Sequence, residues 1–229
     1  MPAKEMMIMG RSIAIDGPAG AGKSTIAKSV AQSLGYIYVD TGAMYRAIAL
    51  YFLEENVDID SESEVKEACD AIDINIGYEG GIQQVYLNDE NVTERIRTPE
   101  VSKRASITSA NPKVREKLLS LQQNLAKAND VIMDGRDIGT TVLPNADLKI
   151  FLTASVKTRA KRRYDELVKK GEKVDLESIE EDIKKRDKQD MTRDISPLAQ
   201  AEDAVLVDTS ELDPTEVRDK ILALYNKKS

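Results

Sequence analysis

Residues 17–25 carry the most specific chemistry in this sequence. They read G-P-A-G-A-G-K-S-T and fit the phosphate-binding pattern G-x-x-x-x-G-K-[ST]. In that pattern the backbone N–H groups of a glycine-rich loop surround a polyphosphate, the lysine adds a positive charge, and the next hydroxyl binds Mg²⁺. A chance glycine-rich turn is the alternative, but an apolar run precedes these residues and a helical pattern follows them. We therefore expect a nucleoside triphosphate site formed by Gly17, Pro18, Ala19, Gly20, Ala21, Gly22, Lys23, Ser24 and Thr25, with Ser24 as the metal ligand.

Arginines and carboxylates elsewhere in the chain predict a second ligand that carries a phosphate. Arg46 falls in the first turns of a predicted helix that Thr41 can cap, a position that suits a bound phosphate. Arg136 and Asp137 lie between two glycines directly after a buried strand candidate, where loops carry chemistry in α/β proteins. The alternatives are an exposed surface arginine in the first case and an ordinary turn in the second.

A charged stripe on a late predicted helix supports the same interpretation. Ile179, Ile183, Arg186, Asp190 and Arg193 follow one another at helical spacing, so the stripe begins apolar and becomes charged. A stripe that only packed on a core would stay apolar, whereas two arginines flanking a carboxylate suit a ligand. The alternative is an exposed face of ion pairs, each worth about 0.3–0.5 kcal/mol.

The preceding predicted helix carries two more arginines. Arg159 and Arg163 are i,i+4 neighbours, so both guanidinium groups could reach one phosphate-bearing ligand. We expect this helix to begin after the cap Ser155 and to stop at Gly171.

The elements that must position these residues alternate between strands and helices. Such an order predicts a parallel sheet flanked by helices, with ligands at the carboxyl ends of the strands. Strands are predicted at 12–16, 36–39, 131–134, 148–153 and 204–208. Helices are predicted at 23–34, 43–55, 156–170, 176–191 and 214–226, with two more starting near Pro99 and Pro112.

The stretch 58–109 breaks this alternation. A short acidic helix at 61–71 is followed by β-like residues 73–77 and 83–87, which Glu79-Gly80-Gly81 separates. An antiparallel insertion fits this pattern better than another strand–helix–strand unit. An insertion that follows the second strand would lie beside the ligand edge of the sheet.

Composition excludes several classes of protein. The chain has no histidine, which excludes histidine-based catalysis. It has one cysteine, Cys69, so an internal disulfide and the usual zinc sites are excluded as well. A net charge of −7 argues against a nucleic-acid surface. No apolar run approaches the ~20 residues that span a bilayer, and residues 1–10 are a poor signal peptide. We expect a cytoplasmic protein with no membrane or nucleic-acid partner.

Together the motifs resemble those of the bacterial cytidylate kinase family, from Ile13 to Asn226. The phosphate loop is shared by many kinases, but D-T-G-A-M-Y-R at 40–46 together with D-G-R-D-I-G-T at 134–140 is specific. I-R-T at 96–98, V-R-E at 114–116 and the segment from Arg186 to Arg193 also match. The resemblance implies transfer of the γ-phosphoryl group of ATP to CMP or dCMP, with Mg²⁺.

The resemblance also implies a role for each matching residue. It places Arg46, Arg136 and Arg193 on the CMP phosphate with Thr41 nearby, Arg186 and Asp190 on the sugar, and Ser106, Arg115 and Asp137 on the base. Lys23, Arg136 and Arg193 would be catalytic, and Arg159 and Arg163 would lie near the ATP phosphates. Ser24 departs from some members, which have glycine there, so its hydroxyl is not implied to be indispensable for metal binding.

We therefore predict an α/β P-loop kinase core with a central parallel sheet, a small antiparallel insertion for the nucleoside monophosphate and a helical lid, acting as a monomer. The expected division is core 1–57, insertion 58–110, core 111–156, lid 157–195 and core 196–229. The sequence contains no guanine-reading N-K-x-D, which argues against a GTPase. Another small-molecule P-loop kinase and a nucleotide-dependent regulatory module stay open as alternatives.

Overall fold

The computed structural model describes residues 10–228. The expectation about a signal peptide in residues 1–10 therefore lies, apart from Gly10, outside the described residues. The strands are β1 (Ser12–Asp16), β2 (Ile37–Asp40), β3 (Ile74–Glu79), β4 (Ile82–Leu87), β5 (Glu90–Asn91), β6 (Val131–Gly135), β7 (Leu148–Thr153) and β8 (Val205–Asp208).

Helices connect most of these strands. They are α1 (Lys23–Leu34), α2 (Thr41–Glu54), α3 (Glu62–Ala71), α4 (Pro99–Thr108), α5 (Pro112–Ala128), α6 (Val156–Lys169), α7 (Leu176–Thr192) and α8 (Pro214–Asn226). A 3₁₀ turn at Arg95–Arg97 and a π-helical turn at Ile138–Val142 complete the set. Among the described residues, no helix is long and apolar enough to cross a bilayer.

Five strands form a parallel sheet in the order β2-β6-β1-β7-β8. All neighbouring pairs run in the same direction, as the strand–helix alternation predicts. The central strand β1 is buried throughout, with Ile13 and Ile15 in one apolar cluster and Ala14 in the other. Both faces are therefore covered by helices, which confirms the predicted fold class.

Three carboxylates end neighbouring strands at the same edge of this sheet. In the register, Asp40 of β2 lies beside Asp134 of β6, and Asp16 of β1 lies beside Gly135. Since this is the carboxyl edge of a parallel sheet, the strand ends concentrate negative charge where a ligand site is expected. Cations must balance that charge.

The stretch 58–109 folds as the predicted antiparallel insertion. Strands β3 and β4 pair across a turn at Gly80 and Gly81, and β5 adds a third strand. The two-residue strand β5 was not predicted, because it is too short to show an alternating pattern. Helix α4 then packs against α2 and so joins the insertion to the core.

Polar side chains cap several helices, and the cap predicted at Ser155 is confirmed. Thr98, Asn111 and Ser155 accept hydrogen bonds from the first turns of α4, α5 and α6, and Asp213 forms a capping box at α8. The predicted cap Thr41 is wrong: Asp40 caps α2 by accepting from Ala43 N at 2.9 Å. Asp40 is both the last residue of β2 and the residue directly before α2, so its carboxylate lies within reach of the first turn.

Candidate active site

The phosphate loop lies between β1 and α1 and depends on glycine at both ends. At Gly17, with φ +148°, an added Cβ would lie 1.9 Å from the carbonyl oxygen of Leu152. Gly22, with φ +89°, begins α1, and no side chain caps that helix. The first turn of α1 also contains no acidic residue. The N–H groups at this helix start therefore point into a site suited to an anion.

Lys23 is buried inside this loop. Its Nζ donates to the carbonyl oxygen of Pro18 at 2.8 Å. Burial lowers the pKa of Lys23 to about 7, with help from the positive charge of Arg136, while Asp134 and Asp16 oppose the shift. An ammonium group held with so little solvation is a strong partner for an incoming phosphate.

Ser24 and Asp134 bring a hydroxyl and a carboxylate together beside Lys23. The Ser24 hydroxyl donates to Asp134 Oδ2 at 2.8 Å, and the Tyr38 hydroxyl donates to Oδ1 at 2.9 Å. Burial raises the pKa of Asp134, as does the negative charge of Asp40, while Lys23 opposes the rise. A hydroxyl from the phosphate loop next to a carboxylate on the neighbouring strand fits Mg²⁺, which prefers few protein oxygens together with water and phosphate ligands.

A cavity of about 280 Å³ opens next to the loop. It lies between the sheet edge, α2, the insertion helix α4, α5 and the late helix α7, so it brings residues that are distant in sequence together. The predicted site residues that line it are Ala19, Gly20, Lys23, Ser24, Thr41, Arg46, Ser106, Arg115, Arg136, Asp137, Arg186, Asp190 and Arg193.

Arginines at one end of the cavity suit a phosphate. Arg46 pairs with Asp40 at 3.1 Å, and Arg136 Nε donates to Asp190 Oδ2 at 2.8 Å. Arg186 lies on the same helix as Asp190 and also lines the cavity. Its pKa is lowered, first by burial and then by the positive charge of Arg136. Repulsion between neighbouring guanidinium groups is relieved when an anion binds between them.

A buried network lies in the wall of the same cavity. Arg115 Nη2 donates to Asp137 Oδ2, and Arg193 Nη2 lies 3.6 Å from Asp137 Oδ1. Burial lowers the pKa of Arg193, as does the positive charge of Arg115. Among the described residues, buried Arg193 Nη2 has no hydrogen-bond partner. The network therefore holds an unused donor and a carboxylate acceptor that face the same space.

Asp16, directly before the phosphate loop, contacts the turn that follows Asp137. Its two carboxylate oxygens accept from the backbone N–H groups of Ile138 and Gly139 at 2.8 and 2.7 Å. These bonds fix the turn that follows Arg136 and Asp137, and burial raises the pKa of Asp16 to about 6. The residue directly before the phosphate loop thus also positions the loop that carries Arg136 and Asp137.

Ser106 joins α4 to α7 across the mouth of the cavity. Gln189 Nε2 donates to the backbone carbonyl of Ser106 at 3.1 Å, and the Ser106 hydroxyl donates to Gln189 Oε1 at 3.5 Å. The predicted position of Ser106 in the cavity wall is therefore accompanied by a contact between the insertion and the late helix.

The two α6 arginines that the sequence predicts near one phosphate ligand lie in different environments in the structure. Arg159 is buried, forms a bidentate pair with Asp187 and donates to the carbonyl oxygen of Ala19 at 3.1 Å. Arg163 is exposed and donates to Glu166, so the structure does not bring it to the cavity. The adjacent Arg162 instead donates to Thr209 at the end of β8, close to Gly22 of the loop.

Sequence reasoning missed four polar residues of this region. Asp16 and Asp134 end strands inside the quoted motifs, and their position at the carboxyl edge of the sheet was an available signal. Gln122 lines the cavity from α5 and Arg162 lies beside the loop, but neither carried a recognisable spacing.

A phosphate loop that faces an arginine-lined cavity across the edge of a five-stranded parallel sheet defines a P-loop kinase of small phosphorylated molecules. The family model "Cytidylate kinase" matches residues 13–227. The chain belongs to the cytidylate kinase family, and it is accordingly a phosphotransferase that uses nucleotide substrates.

Curated relatives carry the same description. The cytidylate kinase of Caldicellulosiruptor bescii is 54% identical over 216 residues, covering 94% of this chain and 96% of the relative. The cytidylate kinase of Bacillus subtilis is 53% identical over 218 residues, covering 95% of this chain and 97% of the relative. An uncharacterized protein from Eubacterium ventriosum has a similar fold, with a TM-score of 0.53 at 14% identity, covering 95% of this chain and 98% of that one.

Proposed function

We propose that this chain transfers the γ-phosphoryl group of ATP to CMP and dCMP, giving ADP and CDP or dCDP. A phosphate oxygen of CMP forms the new bond to the γ-phosphorus, and the bond to the bridging oxygen of ADP breaks. The observation that carries the proposal is the single cavity into which both Lys23 of the phosphate loop and the buried Arg115–Asp137–Arg193 network open.

Asp137 supports cytosine as the base. Cytosine offers an N4 amino donor beside the N3 and O2 acceptors, and a carboxylate flanked by guanidinium groups matches a donor next to acceptors. Uracil presents an oxygen at position 4, which would face the Asp137 carboxylate with no proton between them. Arg115 and Ser106 would donate to the cytosine acceptors, as the family resemblance implies.

The phosphate of CMP is already a nucleophile, so the proposal requires no dedicated strong base. Arg46, Arg136 and Arg193, with Thr41 nearby, would hold that phosphate, and Arg186 with Asp190 would hold the sugar. Lys23 would hold the transferred group in line between donor and acceptor. Positioning and neutralisation of charge then supply most of the catalysis.

Ser24 and Asp134 would hold Mg²⁺, which neutralises charge on the β- and γ-phosphates when it is bound. The hydroxyl and carboxylate already lie 2.8 Å apart, which supports this assignment. The rest of the loop, residues 17–25, would bind the donor phosphates through its backbone.

Arg159 would support the loop through its contact with Ala19, and Arg162 would take the role on the donor side that the resemblance implies for Arg163. We keep residues 58–110 as the acceptor-binding insertion and 157–195 as a lid that excludes water, which would otherwise accept the phosphoryl group. The core would comprise 1–57, 111–156 and 196–229. The acidic composition and the small-molecule substrates support a cytoplasmic monomer without nucleic-acid partners.

The test is a steady-state assay of the purified chain with ATP, Mg²⁺ and CMP, dCMP, UMP or AMP separately. We expect CMP and dCMP to be the preferred acceptors. A preference for AMP would refute the cytosine assignment, and ATP hydrolysis without a phosphorylated acceptor would refute the transfer reaction. Size-exclusion chromatography coupled to light scattering tests the monomer.

A further inference from the structure

Gln122 is a buried amide in the wall of the acceptor cavity, and no role above uses it. Its exposed fraction is 1%, and it lines the cavity from α5. Among residues 10–228, its Nε2 atom has no hydrogen-bond partner. A buried amide donor without a partner costs stability, so its retention beside a cavity points to a ligand that completes the bond.

Gln122 shares one wall of the cavity with Arg115. The two residues lie about two turns apart on the buried face of α5, and both line the cavity. Arg115 pairs with Asp137, the proposed acceptor for the base amino group. Gln122 therefore lies on the wall of the cavity that the proposed function assigns to the base.

The donors assigned to the base differ in how far the structure already engages them. Cytosine has two ring acceptors, N3 and O2, and the family resemblance assigns them to Arg115 and Ser106. In the structure the Ser106 hydroxyl donates to Gln189 Oε1 on α7 at 3.5 Å, so it must turn from Gln189 to reach a base. The Gln122 amide is a buried donor in the same cavity that needs no such change.

We propose that Gln122 Nε2 donates a hydrogen bond to the O2 carbonyl of the acceptor pyrimidine, an inference that rests on the proposed function. O2 is a carbonyl in cytosine and uracil alike. Gln122 therefore strengthens binding of both pyrimidine nucleotides, while Asp137 discriminates between them at position 4.

Tyr45 is a neighbour that competes for this amide. The Arg115 guanidinium lies 5.8 Å from the Tyr45 ring centroid. Burial raises the pKa of Tyr45, and the charge of Arg115 and a weak hydrogen-bonding interaction with Gln122 oppose the rise. If the amide served only the Tyr45 hydroxyl, removal of that hydroxyl would have the same effect as removal of the amide. The variant Tyr45→Phe tests this route.

The experiment compares Gln122→Met with Gln123→Met, a matched control on the next residue of α5. Gln123 Nε2 donates to the carbonyl oxygen of Val142 at 3.2 Å, so its amide is already satisfied. For each full-length variant we would measure the Tm without ligand, the Tm shift produced by CMP and by UMP, and the KM for CMP, UMP and ATP.

For Gln122→Met we expect an unchanged or higher Tm without ligand, because an unsatisfied amide is replaced by an apolar side chain of similar size. The KM for CMP and for UMP should each rise about three- to tenfold, the loss of one neutral hydrogen bond, with the KM for ATP unchanged. The control should show the opposite pattern, with a lower Tm and an unchanged KM for CMP.

Four outcomes would overturn the proposal: an unchanged KM for CMP, a rise for CMP without a rise for UMP, an equal rise in the KM for ATP, or an equal KM rise in Tyr45→Phe. Failure of the proposed function is distinguishable, since it would abolish CMP turnover in the wild type as well. The ligand-dependent Tm shifts measure the Gln122 contact independently of turnover.

Discussion

The substitution Asp137→Asn replaces the carboxylate of the buried Arg115–Asp137–Arg193 network with an amide. Asp137 lies between Arg115 and Arg193, and the side chains of all three are less than one-tenth exposed. Solvent therefore screens the two guanidinium charges very little. The variant should lose stability and selectivity together, for separable reasons.

Removal of one partner from a buried ion pair costs about 3–5 kcal/mol, because the other charge is left buried and uncompensated. For a chain of this length, that cost corresponds to a fall in Tm of about 6–20 °C. Loss of the charge-assisted hydrogen bond to N4 costs about 1.5–3 kcal/mol more in the transition state, which lowers kcat/KM for CMP about 10- to 150-fold. UMP should lose far less, since an amide can donate to the uracil oxygen at position 4.

The assay is kcat/KM for CMP and for UMP at a temperature where both proteins are folded. Asp187→Asn is the matched control, because Asp187 is also buried and paired with an arginine, Arg159, outside the cavity. We expect the control to lose stability while the CMP to UMP ratio stays near that of the wild type. An unchanged ratio in Asp137→Asn would refute the reasoning.

Three further predictions follow from charges around the loop. Burial lowers the pKa of Lys23 to about 7, so between about pH 7 and 10.5 the unfolded chain binds one more proton than the folded chain and stability rises with pH. Lys23→Met should remove this pH dependence, raise the Tm at pH 7 and abolish transfer. A lower Tm would contradict the argument. Burial raises the pKa of Asp16 to about 6, so between about pH 4 and 7 the folded chain binds one more proton than the unfolded chain. In thermal melts, the stability of the wild type relative to Asp16→Asn should fall by about 3 kcal/mol over this range. If the stabilities of the two proteins changed in parallel with pH, the buried charge would be refuted. Arg162→Ala should raise the KM for ATP about tenfold. Arg163→Ala breaks only an exposed ion pair with Glu166, so it should change the KM for ATP less than twofold. Equal effects of the two substitutions would show that Arg162 has no special role on the donor side.

Much of the fold could be predicted because local signals and tertiary packing agree. The strand at Ser12–Asp16 and the helix at Lys23–Leu34 were predicted to the residue, since one is a buried apolar run and the other has a clear helical repeat. The cap of α2 was not predicted correctly. Asp40 and Thr41 are both good capping residues, and only the end of β2 decides between them. The π-helical turn at Ile138–Val142 had no local signal.

The members of the site were easier to predict than their partners. The family resemblance assigned Arg136, Asp137 and Arg193 to one ligand, and in the structure all three line one cavity. Spacing could not show that Asp187 forms an ion pair with the guanidinium of Arg159, because that pair depends on how α6 and α7 cross. A choice between two arginines one position apart likewise depends on which of them faces the loop in three dimensions.

The contact of Arg159 with both Asp187 and Ala19 has a thermodynamic consequence. Ala19 lies in the donor loop, and Asp187 is the chain neighbour of Arg186 in the acceptor cavity. We expect a shift at either proposed substrate position to reach the other through one guanidinium and one peptide bond. Linkage requires such coupling to be reciprocal, so the factor by which ATP changes the affinity for CMP is also the factor by which CMP changes the affinity for ATP. We therefore expect the two substrates to bind interdependently.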